Sequence, residues 1–128
     1  MKIILASHSS VAQSLLDAAQ MFLGEQENAA AIGLFSGDSP ADFEAALQEL
    51  VDNRADGEEC LILCDLLSGT PFNTASKISY RDDTIKVIYG MSLPAVVEAL
   101  SCREEMSLAE LSEDVVKTAQ EGLGIGKY

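Results

Sequence analysis

The chain alternates short apolar runs with longer segments whose apolar residues recur at helical spacing. The apolar runs are KIILA (2–6), AAAIGLF (29–35), ECLILC (59–64) and TIKVIYG (84–90). The first and third are hydrophobic without alternation, the pattern of strands covered on both faces in a parallel sheet. Segment 9–23 sets Val11, Leu15 and Phe22 near Ala12, Leu16, Ala19 and Leu23, an apolar stripe that Gly24 ends. On this reading Met21, Phe22 and Leu23 belong to the core, with the rim of the ligand crevice as the alternative place for some of them. Segment 40–54 opens with Ser39 as cap, Pro40 first and Asp42 closing a capping box, and buries Phe43, Leu47, Leu50 and Val51. TPFNTASKI (70–78) repeats the device, with Thr70 as cap and Pro71 first. Ser92 caps a helix carrying Val96, Val97 and Leu100. SLAE (107–110) is another capping box, with Met106 and Leu111 as its hydrophobic staple, and its helix runs to Gly122.

Strand and helix thus alternate four times, with one further helix at the end. No repeat, low-complexity tract or linker interrupts them, so residues 1–128 read as one domain. The pattern predicts a doubly wound α/β sandwich with helices on both faces and a mainly parallel sheet, in the flavodoxin-like order 2-1-3-4. The glycine-punctuated tail GLGIGKY (122–128) fits a frayed end or a small strand.

Composition narrows the partners. Twenty-one acidic residues against 8 basic ones give a formal charge of −13, a field that repels nucleic acid backbones. No stretch approaches the roughly 20 apolar residues of a membrane span, and the four apolar residues after Lys2 fall short of a signal peptide. The expectation is a soluble, cytoplasmic protein. Cys60 and Cys64, on one face of a strand, lie roughly 13 Å apart at about 3.3 Å per residue, too far for a disulfide or a shared metal. They read as small buried hydrophobes. With a single histidine and no C-x-x-C pair, no structural zinc site is expected.

That single histidine is the chemical signal. In an open α/β sheet, ligands bind beyond the carboxyl ends of strands where the strand order reverses, here between strands 1 and 3. His8 stands just past strand 1 and Asp65 just past strand 3, so two titratable groups from distant sequence fall at one crevice. Ser9 and Ser10 follow at a helix start, where free N–H groups favour an anion. After Asp65, the small-residue turn of Ser68, Gly69 and Thr70 leads into a second helix start, and FSGDSP (35–40) into a third. A carboxylate accepting one imidazole N–H fixes the tautomer, orients the ring and stabilises the charge that develops on attack. With Asp65 in that role, His8 attacks phosphorus with its other nitrogen, and the phosphoryl oxygens lie among Ser9, Ser68, Thr70 and nearby amides. G-x-S-x-G, Walker A and G-x-G-x-x-G patterns are absent, so no nucleotide or other cofactor is expected and the phosphate must come from another protein. The rival from another class is a receiver-like signalling domain phosphorylated on Asp65, which would need an acidic, Mg²⁺-binding pair where Ser7 and His8 stand.

The motifs ASHSS (6–10), LGEQEN (23–28), FSGDSP and CDLLSGTPFNTASKI (64–78) resemble the enzyme IIA component of the mannose-type phosphoenolpyruvate-dependent sugar phosphotransferase system, over essentially the whole chain. The resemblance implies that His8 takes a phosphoryl group from the phosphohistidine of the carrier HPr and passes it to an enzyme IIB partner, for a sugar entering through a IIC/IID membrane complex. It implies that Asp65 orients His8, that Thr70 contacts the phosphoryl group, and that the protein is a homodimer exchanging an antiparallel edge strand. The chain ends where some members of that family continue through a linker into a IIB domain, so IIB is expected to be a separate protein. A closer sibling of the same site is the phosphoryl donor subunit of dihydroxyacetone kinase. The family commonly has glycine where Ser9 and Ser68 stand, which points to altered hydrogen bonding around the phosphoryl group.

Overall fold

The computed structural model describes residues 1–127. The elements run β1 (Lys2–His8), α1 (Val11–Leu23), β2 (Ala29–Leu34), α2 (Pro40–Asp52), β3 (Cys60–Cys64), α3 (Thr70–Tyr80), β4 (Ile85–Ile88), α4 (Leu93–Cys102) and α5 (Leu108–Glu121). The four strands pair in the order β2-β1-β3-β4, parallel throughout. The doubly wound architecture and its strand order are those that the apolar pattern predicts. Among the described residues, the tail after α5 joins no strand.

Side-chain alternation along β1 sorts the core. Ile3 and Leu5 pack with α1, α4 and α5 on one face of the sheet, and Ile4 and Ala6 with α2 and α3 on the other. The central strand β3 is buried at every position, with Leu61 and Leu63 on the first face and Ile62 on the second. Each such side chain stabilises the fold by roughly 1.5–3 kcal/mol through leaving water. The charge of Lys2 is accommodated at the sheet's lower edge, where its Nζ donates to the Leu50 and Asn53 carbonyls at 2.6 and 3.0 Å, at the negative end of α2.

The structure corrects several local expectations. Residues 9 and 10 lie in a turn, and α1 begins at Val11. Its buried stripe is Ala12, Leu16 and Ala19, whereas Met21 and Phe22 are 87% and 71% exposed and Val11 is 43% exposed. At about 100° per residue, Met21 points opposite Ala12 and Phe22 lies well off the stripe, so apolar character overrode angle in the sequence reading. Leu23, close to the stripe's centre, does pack against the core. Gly69 rather than Thr70 caps α3, which places Pro71 second. At α2, the Ser39 hydroxyl accepts from the Asp42 N–H, but only at α5 are both halves of a capping box made, between Ser107 and Glu110. The cysteines behave as expected: Cys60 and Cys64 are free and buried, and burial pushes their thiols up to about 11 and about 12.

One polar cluster bridges α4 and α5. Glu98, Cys102 and Asp114 bring their ligating atoms within 4.8 Å of one another, and the Cys102 thiol donates to the Glu98 carboxylate. A hydrogen bond shared with Asp114, then burial, then the Asp114 charge raise the Glu98 carboxyl above the usual glutamate range. A carboxyl raised on folding contributes most at acid pH, and that contribution is lost as pH rises through the folded value. Glu98→Gln is therefore expected to raise Tm at pH 7 by about 2–4 °C, with the gain vanishing toward pH 4. Thermal melts of both proteins across this range check it, and a gain that is the same at every pH contradicts it.

Candidate functional site

The site stands at the carboxyl end of the sheet. In register, Ser7 is opposite Gly33 of β2 and His8 opposite Leu34, while Ala6 is opposite Cys64 of β3. His8 is thus the last residue of β1, and Asp65 is the first after β3. The topology brings them together as the switch-point reading requires. Asp65 Oδ2 accepts two hydrogen bonds from His8, from the backbone N–H at 2.9 Å and from ring Nδ1 at 2.9 Å. This assignment puts the ring proton on Nδ1 and leaves the Nε2 lone pair free. Asp65 Oδ1 is buried, with no donor among the described residues. The His8 side chain is 44% exposed and that of Asp65 17%, so a sheltered carboxylate holds a ring open to a large partner.

Gly69 is brought to the ring itself. A Cβ built there would lie 2.7 Å from His8 Cε1 and 3.4 Å from Nε2. The N-terminus of α3, which begins at the next residue, is therefore beside the free nitrogen. Gly69 has φ −76°, so its value here is room rather than backbone freedom. Ser9 and Ser68 differ. They take φ of +52° and +66°, left-handed conformations that cost a side-chain-bearing residue about 1–2 kcal/mol and that glycine adopts freely. Serine at these positions thus adds backbone strain to the altered hydrogen bonding expected from the sequence. Among the described residues, the hydroxyls of Ser9, Ser68 and Thr70 take no part in the His8–Asp65 hydrogen bonds; chain connectivity keeps all three beside the site.

Sequence reasoning missed three supports. Ser7, fully buried, accepts the Ala12 N–H on its hydroxyl at 2.7 Å and so ties the start of α1 to β1, while the Ser10 side chain makes no cap hydrogen bond. Gly33 lies under the turn after His8, where a Cβ would sit 2.1 Å from the Ser9 carbonyl oxygen; the Ser9 N–H in turn donates to the Leu34 carbonyl at 2.7 Å. A glycine inside a strand was the available signal for that close approach. The third is Asn73, whose side chain donates to the Ser68 carbonyl at 3.2 Å.

The same end of the molecule exposes apolar side chains: Val11 at the start of α1, Phe35 after β2, and Leu66 and Leu67 after β3. They stand just past the carboxyl ends of β1, β2 and β3, the end of the sheet at which His8 and Asp65 meet. Taken together, fold and site define a doubly wound α/β domain with a carboxylate-held histidine at the carboxyl end of its sheet.

Comparison with known proteins places the chain within one such class. Residues 2–116 match the EIIA-man family model, described as "PTS system fructose IIA component", and the chain belongs to this family. It is 32% identical to the sorbose-specific EIIA component of the phosphotransferase system (PTS) of Klebsiella pneumoniae over 92% of this chain and 86% of that one. It is 34% identical to the mannose-specific EIIAB component of Escherichia coli, over 94% of this chain but 38% of that longer protein. The crystal structure of phosphotransferase system component EIIA from Streptococcus agalactiae superimposes with a TM-score of 0.89 at 32% identity, covering 97% of this chain and 95% of that one.

Proposed function

We propose that this EIIA protein carries a phosphoryl group on His8 Nε2, accepting it from the phosphohistidine of HPr and donating it to a histidine of enzyme IIB. The reading rests on one observation above others: Asp65 Oδ2 on Nδ1 at 2.9 Å, which leaves Nε2 as the nucleophile. The Nε2 lone pair forms the new N–P bond as the donor's N–P bond breaks. The acceptor ring already carries its Nδ1 proton, so it becomes cationic without a separate proton transfer. Asp65 compensates that charge. Its Oδ1, buried with no donor among the described residues, leaves the carboxylate charge undiluted for the cationic ring. The hydroxyls of Ser9, Ser68 and Thr70 and the α3 amides serve the phosphoryl oxygens.

Val11, Phe35, Leu66 and Leu67 form the apron on which HPr and IIB dock in turn. The relatives named for sorbose and mannose favour sugar uptake through a IIC/IID complex over a donor role for dihydroxyacetone kinase. The receiver-like alternative is disfavoured by the Asp65 oxygen already engaged with His8. The phosphorylated protein works in the cytoplasm; no helix among the described residues is long and apolar enough to cross a membrane. The outer edge of β4 is unpaired among the described residues, and Leu123 and Ile125 of the adjacent tail are 88% and 96% exposed. An antiparallel strand exchanged across a homodimer covers both.

The deciding experiment incubates the protein with phosphoenolpyruvate, enzyme I and HPr and maps the product by mass spectrometry. One alkali-stable phosphoryl group on His8 is the expected result. Alkali-labile label on Asp65, or none at all, overturns the reading.

A further inference from the structure

We infer that Asn73, in the first turn of α3, is a positioning residue for phosphoryl transfer: it straps the strained Ser68 peptide so that Gly69 stays packed against the imidazole. The inference deepens the phosphocarrier reading and rests on it.

Ser68 occupies the left-handed region at φ +66°, a conformation disfavoured for serine. The residue after it, Gly69, is the backbone that walls the ring, since its missing Cβ is 2.7 Å from His8 Cε1. A rotation of the Ser68–Gly69 peptide therefore moves the wall of the nucleophile and the start of α3 together. Two polar contacts oppose that rotation. One is the Gly69 N–H to the Leu66 carbonyl at 3.3 Å, near the limit of a useful hydrogen bond. The other is the Asn73 side-chain amide on the Ser68 carbonyl at 3.2 Å. Asn73 is itself fixed, because its backbone N–H closes the first helical bond of α3 onto the Gly69 carbonyl at 2.9 Å. One residue thus grips both carbonyls of the Ser68–Gly69 pair, the first with its side chain and the second with its main chain. Asn73 is exposed and makes no contact with His8 or Asp65 among their hydrogen bonds, so its effect on chemistry passes through the loop.

Dependence on backbone strain gives a test that a merely stabilising surface bond fails. Glycine at position 68 holds φ +66° without a strap, so the cost of losing Asn73 should depend on what stands at 68. Rapid-quench transfer from phospho-HPr is measured for the wild-type protein, Asn73→Ala, Ser68→Gly and the double variant. We expect Asn73→Ala to lower the saturating transfer rate about tenfold with little change in the HPr concentration at half-saturation. In the Ser68→Gly background, the same replacement should cost no more than about twofold. Equal costs in the two backgrounds, or no cost in either, overturn the inference.

A second measurement needs no phosphate donor. Nitrogen-15 NMR of the free protein should show exchange broadening of the Gly69 amide and a shifted His8 ring signal in Asn73→Ala, both reversed in the double variant. Unchanged spectra overturn the inference on their own. If wild-type His8 takes no phosphate from HPr, the phosphocarrier reading fails, and these spectra still decide whether Asn73 holds the loop.

Discussion

Asp65→Asn is expected to leave the fold intact and to slow phosphoryl transfer through His8 about 10²-fold. The asparagine carbonyl oxygen can occupy the place of Oδ2 and accept both the His8 backbone N–H and Nδ1, each now 2.9 Å from the carboxylate. Geometry and tautomer are then conserved, and what disappears is the negative charge beside a ring that, on the proposed mechanism, turns cationic during transfer. That difference is worth about 2.7 kcal/mol for 10²-fold, within the usual range for one preorganised electrostatic group. Rapid-quench transfer from phospho-HPr, with a thermal melt as control, checks the pair of expectations. A wild-type rate in Asp65→Asn would mean the charge is dispensable. Phosphorylation that survives in His8→Ala and is lost in Asp65→Asn would hand the site to the receiver-like alternative.

Gly69→Ala should be nearly as damaging for an unrelated reason. At φ −76° the backbone accepts alanine without conformational penalty, so the stability cost is that of the local clash alone, about 1–2 kcal/mol, and the fold is expected to survive. The new methyl, however, would stand 2.7 Å from His8 Cε1. An untethered surface histidine would swing aside at little cost, but this ring is held by Nδ1 on Asp65 and cannot yield without giving up that bond. We expect a loss of about 10²-fold in transfer rate, since displacements near 1 Å at a reacting atom cost that much. The measurement pairs transfer kinetics with the His8 ring signals in nitrogen-15 NMR. Full activity with an undisturbed ring would show that the loop gives way instead.

The two predictions draw on different kinds of information. That Asp65 meets His8 follows from strand pattern and switch-point topology, because parallel strands with helical crossovers leave few ways to order their ends. That Gly69 serves it sterically does not. The small-residue turn of Ser68, Gly69 and Thr70 suggested contacts to phosphate, and the sequence carries no sign that the glycine's absent side chain is the space the ring occupies. Gly33 is an intermediate case. A glycine inside an apolar strand announces a close approach, but only the fold says that the approaching atom is the Ser9 carbonyl. Met21 and Phe22 mark the opposite failure, where hydrophobic identity pointed inward and helix phase turned both residues to solvent.

The order of residues alone determined the sheet, its parallel winding, and the meeting of the only imidazole with one particular carboxylate. Those properties follow from periodicity, capping and crossover handedness, which act over a few residues or obey rules common to all such chains. Tertiary structure decided which nitrogen is free, which serines carry strain, and which glycines make room. Each of these depends on distances between segments far apart in the chain, and no local preference encodes a gap of a few ångströms between them.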